Sequence, residues 1–280
     1  MVHRNVYLPH GAEFTARERA VAAWLWSNRT ATVVGLSAAA MHGSRWIPVE
    51  APAELARTQH NSPPGIIVRK DTLADDQVEP IAGVACTTVP RTAFDLGRRL
   101  LQEEGVIRID ALLNATGVPV REISALAERY PGARNIRRLR KSLELVDAGA
   151  ESPQETRVRL VLVEAGLPRP VTQIRLGRRR VDMGWPDYTV AVEYDGEQHW
   201  TDPREHAGDI GRLEYLAGLG WTIVRVSAWH LRNDRAGIAH RAETALRAKG
   251  WTGPLTPRGD LFTDLPGKTG EQANFRREKR

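Results

Sequence analysis

Between Ser152 and Asp195 the apolar pattern changes period once, and that change limits the folds open to this chain. "SPQETRVRLVLVEAG" repeats on a helical period. Ser152 stands where an N-cap belongs, Pro153 at the first helical position, Glu155 at the capping-box position and Gly166 at the stop. Three short extended runs follow, "VTQIRL", "RVDMGW" and "TVAVEYD", with "GRRR" and "PDY" as turns between them. A further helix, "DPREHAGDIGRLEYLAGLG", sets Ile210, Leu213 and Leu216 on one face and stops at Gly220. "WTIVRVS" alternates as a strand, and a last helix covers about 234–249. The order α-β-β-β-α-β-α predicts a mixed α/β domain over residues 150–252.

A chain of 280 residues has room for a second domain. Thr15 can cap a helix from Ala16, with Glu18 closing a capping box and Val21, Trp24 and Leu25 on one face. A short helix runs from Ser37 to His42 and stops at Gly43. Extended pieces around "AELAR" and "GIIVRK" are parted by "HNSPPG", and "TTVPRTAFDLGRRL" reads as a strand end and then a helix with Pro90 near its start. Small helices followed by a strand pair predict a winged-helix-like DNA-binding domain over 1–100, so the chain as a whole is α/β, with α+β character overall. Residues 101–149 read as a helical connector. Its last helix, "GARNIRRLRKSLELVDAG", sets Ile136, Leu139, Leu143 and Val146 on one face. Arg137, Arg138, Arg140 and Lys141 lie mostly elsewhere; they are either a solvated face or a phosphate-contacting surface. Residues 253–280, rich in Gly, Pro, Thr and charge, are expected to form a disordered basic tail.

Composition narrows the partners. The formal charge of +6 and a sequence pI of about 9.8 favour a polyanion such as DNA. The single cysteine, Cys86, excludes an internal disulfide and a cysteine-rich zinc site and fits a reducing, cytoplasmic location. In "GVACTTV" it reads as a small buried residue. "MVHRNVYLPHG" has no apolar core of signal-peptide length, and runs such as "AVAAWLW" are too short to span a bilayer, so no membrane partner is expected.

The chemistry concentrates on acids. Residues i and i+2 of a strand point the same way, so Glu193 and Asp195 share a face. In an antiparallel hairpin Asp182 lies across from Glu193 or diagonal to it. Three carboxylates so close repel one another and raise one another's pKa. A hard divalent cation, Mg²⁺ or Mn²⁺, would resolve that conflict. So would pairing with the local arginines Arg178, Arg179, Arg180 and Arg212.

These residues, in order, resemble the very-short-patch-repair-like endonuclease family of the PD-(D/E)XK nuclease superfamily. "SPQE", Gln173 in a strand, "VDMGWPD", "AVEYDGEQHW", Asp209 with Arg212 and "LGWTIVRVS" carry the resemblance over about 150–235. It implies a restriction-endonuclease-like αβββαβ core and metal-dependent hydrolysis of phosphodiester bonds. It makes Asp182 and Glu193 metal-binding and catalytic. Asp195, grouped with them as catalytic and a third metal ligand, stands where many members carry a lysine, which is a departure. His199 becomes the candidate catalytic base, and Glu155 the helix carboxylate that completes the site, with capping as its other role. Gln173 would orient a ligand water. Arg178, Arg179, Arg180 and Arg212 would face phosphates, and Asp209 with Arg212 could equally be a structural ion pair.

In the first half, "LSAAAMHG" and "TTVPRTAFDLGRR" resemble the AbiEi-type antitoxins of type IV toxin–antitoxin systems, over about residues 12–100. That resemblance implies a DNA-binding winged helix and allows a toxin–antitoxin or self-association partner. Arg91 and Asp95 are spaced as a helical ion pair. Two functions stand open: a DNA-binding, metal-dependent endonuclease, or an antitoxin-like or transcriptional regulator with a catalytically silent nuclease fold.

Overall fold

A computed structural model describes residues 3, 6, 7, 11, 14–58, 62–196 and 203–256, and of 203–210 the backbone alone. Thr15 caps α1 (Ala16–Trp26), its Oγ1 accepting the Glu18 amide at 3.4 Å. β1 (Thr32–Val33) leads into α2 (Gly35–Met41). β2 (Ala53–Ala56), β3 (Ile66–Arg69), β4 (Val78–Ile81) and β5 (Val84–Thr87) precede α3 (Val89–Arg99). All five strands join one sheet in the order β3-β2-β1-β5-β4. The strand pair expected as a wing is β2 and β3, and these run parallel, from Ala53↔Ile66 to Ala56↔Arg69. A wing is an antiparallel hairpin, so this pair does not form one; strand propensity identifies strands and says nothing of their direction. The hairpin is β4–β5, whose turn residues Ala82 and Gly83 have φ of 50° and 80°. Positive φ at both central positions matches the right-handed twist of the flanking strands.

The stretch read as a connector is a packed core. α4 (Gln102–Thr116), α5 (Val120–Arg129) and α6 (Ile136–Leu145) close on α3 around Phe94, Ile109, Leu112, Ile123 and Leu139. α7 (Pro153–Glu164) follows, with Ser152 Oγ accepting the Glu155 amide at 3.2 Å. Then come β6 (Val171–Leu176), β7 (Arg179–Trp185), β8 (Val190–Asp195), α8 (Pro203–Gly218), β9 (Thr222–Ser227), α9 (Ala228–Asn233) and α10 (Arg235–Ala248). The chain is α/β, and its second half has the expected order with one short addition, α9. The second sheet runs β6-β7-β8-β9, antiparallel except for β8–β9. α7 and α10 pack with Met183, Val190, Val192, Val224 and Val226, while Leu216 of α8 packs with Leu176, Val181 and Ala191. Strand β7 needs Gly184, because a Cβ there would lie 2.3 Å from the Val190 carbonyl oxygen of β8.

α7 belongs to both cores. Val158, Val161 and Leu162 join the sheet core, and Leu160 and Val163 the helical one. Between them Arg159, fully buried, reaches Asp110 of α4 at 2.6 Å and donates to the Leu145 carbonyl. Asp110 also accepts from Thr156 Oγ1 (2.9 Å) and the Asp147 amide (2.7 Å). Burial raises its pKa to about 6 even so. Cys86 is buried, as its neighbours in the sequence suggested. Among the described residues no helix is long and apolar enough to cross a membrane. Residues 257–280, most of the expected basic tail, lie outside the description.

Candidate functional site

Two interrupted ladders bring the acids together. β6 and β7 pair at Thr172↔Met183 and Ile174↔Val181, and the rung between, Gln173 opposite Asp182, is missing. Gln173 has φ of 53°, a left-handed conformation inside a strand. Such strained positions persist where surrounding contacts hold them, often at functional sites. Its Nε2 donates to Glu155 Oε2 at 2.9 Å, and the same oxygen accepts the Glu151 amide at 3.0 Å. The β7–β8 ladder ends at Met183↔Val192, one step short of Asp182 facing Glu193. There Asp182 Oδ2 accepts the Tyr194 amide at 2.8 Å, so a carboxylate takes an amide of β8. Glu155 from α7, Asp182 from β7 and Glu193 from β8 thus meet around one break in the sheet.

Arg212 of α8 closes the group. Its Nη1 lies 3.0 Å from Glu193 Oε2, its Nη2 donates to Oε1, and Nη2 also reaches the Arg180 carbonyl at 3.3 Å. Glu193 itself is 5% exposed. Burial raises the Asp182 pKa to about 6, with Glu193 adding to it and the Tyr194 amide, Arg212 and Arg180 working against it. Glu155 is also raised, chiefly by burial, with Asp182 contributing. Asp71 is the contrast: burial raises it too, but Arg99 and Arg98 pull it below the ordinary range. The fold neutralises Asp71, and it leaves Asp182 and Glu155 under strain.

The remaining expected residues are more dispersed. Asp195 does not join the group; Arg225 of β9 bonds its Oδ2 at 2.5 Å. Sequence reasoning missed Arg225, although one charge in the middle of "TIVRVS" was a signal. His199 and the side chain of Asp209 lie outside the described residues. At the β6–β7 turn Arg178 lies over the Tyr215 ring at 5.0 Å, Arg179 is exposed, and Arg180 pairs with Glu151 at 2.7 Å. On α6 Arg137 and Lys141 are exposed, Arg138 donates to the Leu100 carbonyl (3.3 Å) and Arg140 pairs with Glu128 (3.3 Å). Arg91 and Asp95 form the helical ion pair their spacing suggested, at 3.1 Å.

The donor set suits a hard divalent cation in kind, since it offers carboxylate oxygens from three elements. Its arrangement does not. Arg212 occupies both Glu193 oxygens and Arg225 holds Asp195, and among the described residues no three acidic, histidine or cysteine side chains are placed to hold a metal ion.

Two relatives from Mycobacterium tuberculosis are similar to this chain: uncharacterized protein MT2308 of strain CDC 1551 and uncharacterized protein Rv2248 of strain H37Rv. Each is 31% identical over 170 residues, which is 59% of this chain and 63% of the relative's length. No family model and no solved structure matches the chain.

Proposed function

We propose that the chain is a DNA-binding protein and that Glu155, Asp182 and Glu193 form a nuclease-like site for hydrolysing phosphodiester bonds. The carrying observation is the convergence of three carboxylates at a broken sheet ladder, two of them held above their ordinary pKa. Acids perturbed by burial and by one another, gathered in one place, make a functional-site candidate. These carboxylates would hold a divalent cation, which would supply Lewis-acid chemistry, only with Glu193 free of Arg212, whose planar fork is suited to a phosphate.

The test is direct. With Mg²⁺ or Mn²⁺ the purified protein is expected to nick supercoiled plasmid, and Asp182→Ala to lower that rate by about a hundredfold or more while the far-UV spectrum stays unchanged. Cleavage that survives both Asp182→Ala and Glu193→Ala sinks the site.

The Arg212–Glu193 and Arg225–Asp195 pairs favour a second reading. In it the fold is catalytically silent and the chain is an antitoxin-like or transcriptional regulator. That reading expects DNA binding in EDTA and no metal-dependent nicking.

A further inference from the structure

A cleft of about 780 Å³ opens where the end of β8 meets the start of α7, α9 and the loop after α2. Its lining includes Trp46, Gln154, Arg157, Tyr194, Arg232 and Arg235, with three arginines and no acid among the described lining residues. That is room enough for a nucleotide-sized group.

Trp46 is the unusual member. It is 49% exposed, and its φ of 65° is a left-handed conformation rare for a bulky side chain. Three contacts hold it there. Arg108 donates to its carbonyl, its indole N–H donates to the Glu151 carbonyl at 3.0 Å, and the Arg45 guanidinium lies 5.1 Å from the ring centroid. A half-bare aromatic ring fixed in a costly conformation is a platform. Glu103 accepts from Arg157 and Arg235, each at 3.1 Å, and so sets two guanidiniums side by side. Arg232, exposed on α9, lines the same cleft.

An aromatic platform beside guanidiniums matches a strand that offers a base face and its flanking phosphates together. A duplex keeps its base faces stacked on one another. We propose that this cleft binds a single-stranded segment of nucleic acid, with one base against Trp46 and neighbouring phosphates on Arg232 and Arg235. The inference rests on the nucleic-acid reading above and is independent of hydrolysis. DNA and RNA share the recognised chemistry, and the experiment below tells them apart.

Fluorescence anisotropy of labelled oligothymidylate and oligouridylate with the full chain in EDTA tests the proposal. Trp46→Leu and Arg232→Glu are each expected to weaken binding of the preferred strand about 5- to 100-fold. Unlabelled duplex and polyglutamate are expected to compete poorly. A preference for either sugar supports the site if both variants weaken it. If Trp46→Leu alters the thermal midpoint, Arg232→Glu, at an exposed position, decides alone. Affinity unchanged in the variants, no binding by the wild type, or competition by duplex or polyglutamate equal to that of the single strand overturns the proposal. Plasmid nicking on the same preparations keeps the readings apart. Nicking with unaltered oligonucleotide affinity in the variants removes the cleft alone. Cleft-dependent binding without nicking removes the hydrolytic site alone.

Discussion

Burial disfavours the ionised form of Asp182, and Glu193 disfavours it further, so the folded carboxyl holds its proton to about pH 6. In the unfolded chain it releases that proton near its ordinary value of 3.8. Below both values the group contributes nothing to pH dependence. As pH rises through that window the folded state alone keeps the proton, so wild-type stability falls, and above about pH 6 the full cost is present. Asp182→Asn keeps an oxygen for the Tyr194 amide and removes the charge. In EDTA it is expected to match the wild type near pH 4 and to exceed it by about 1–3 kcal/mol at pH 7.5, measured by urea unfolding. An unchanged difference between the two pH values would remove the electrostatic account of the patch. A gain in stability together with loss of nicking is the pattern of a site kept for function at the expense of the fold.

At the level of strands, the β7–β8 contact depends on Gly184. An alanine Cβ would meet the Val190 oxygen at 2.3 Å and the Ala191 Cα at 2.8 Å, and both are backbone atoms that cannot turn aside. Gly184→Ala is therefore expected to cost about 2–4 kcal/mol, read as a lower urea midpoint with unchanged slope. The strands of the second sheet, together with β2 and β3, were legible as extended runs between turn signals, whereas the two-residue β1 and the polar β4 were not. Parity and the short 186–189 turn also placed Asp182 near Glu193. Direction was not legible for β2 and β3, since parallel and antiparallel strands share one pattern. The departure of Asp195 was hidden for another reason. Arg212 stood among the arginines expected to pair with these acids, but Arg225 reaches Asp195 from 30 residues away along the chain, and a long flexible side chain leaves no periodic trace. Trp46 escaped notice because a single aromatic in a loop says nothing of its φ.

Across the whole molecule, α7 ties the helical core to the second sheet, and Arg159 is its polar anchor. Arg159→Ala leaves Asp110 buried without its guanidinium, and a loss of about 3–5 kcal/mol is expected by thermal or urea unfolding. A change below about 1 kcal/mol would mean that Thr156 and the Asp147 amide hold Asp110 unaided. Charge at this scale bears on the proposed binding of DNA. Much of the arginine is spent on internal pairs, such as those of Arg98 and Arg99 with Asp71, whereas Arg137 and Lys141 of α6 are exposed. Binding to nonspecific duplex is expected to weaken steeply between about 50 and 200 mM salt, and the double change Arg137→Glu with Lys141→Glu to reduce the log–log salt slope by about two. An unaltered slope would take the duplex off α6. The two-sided burial of α7 also bears on heredity. A recombination event that carried residues 150–252 into another gene without α3–α6 would move a helix whose Leu160 and Val163 had lost their wall. Such a fragment would be a poor passenger in shuffled genes.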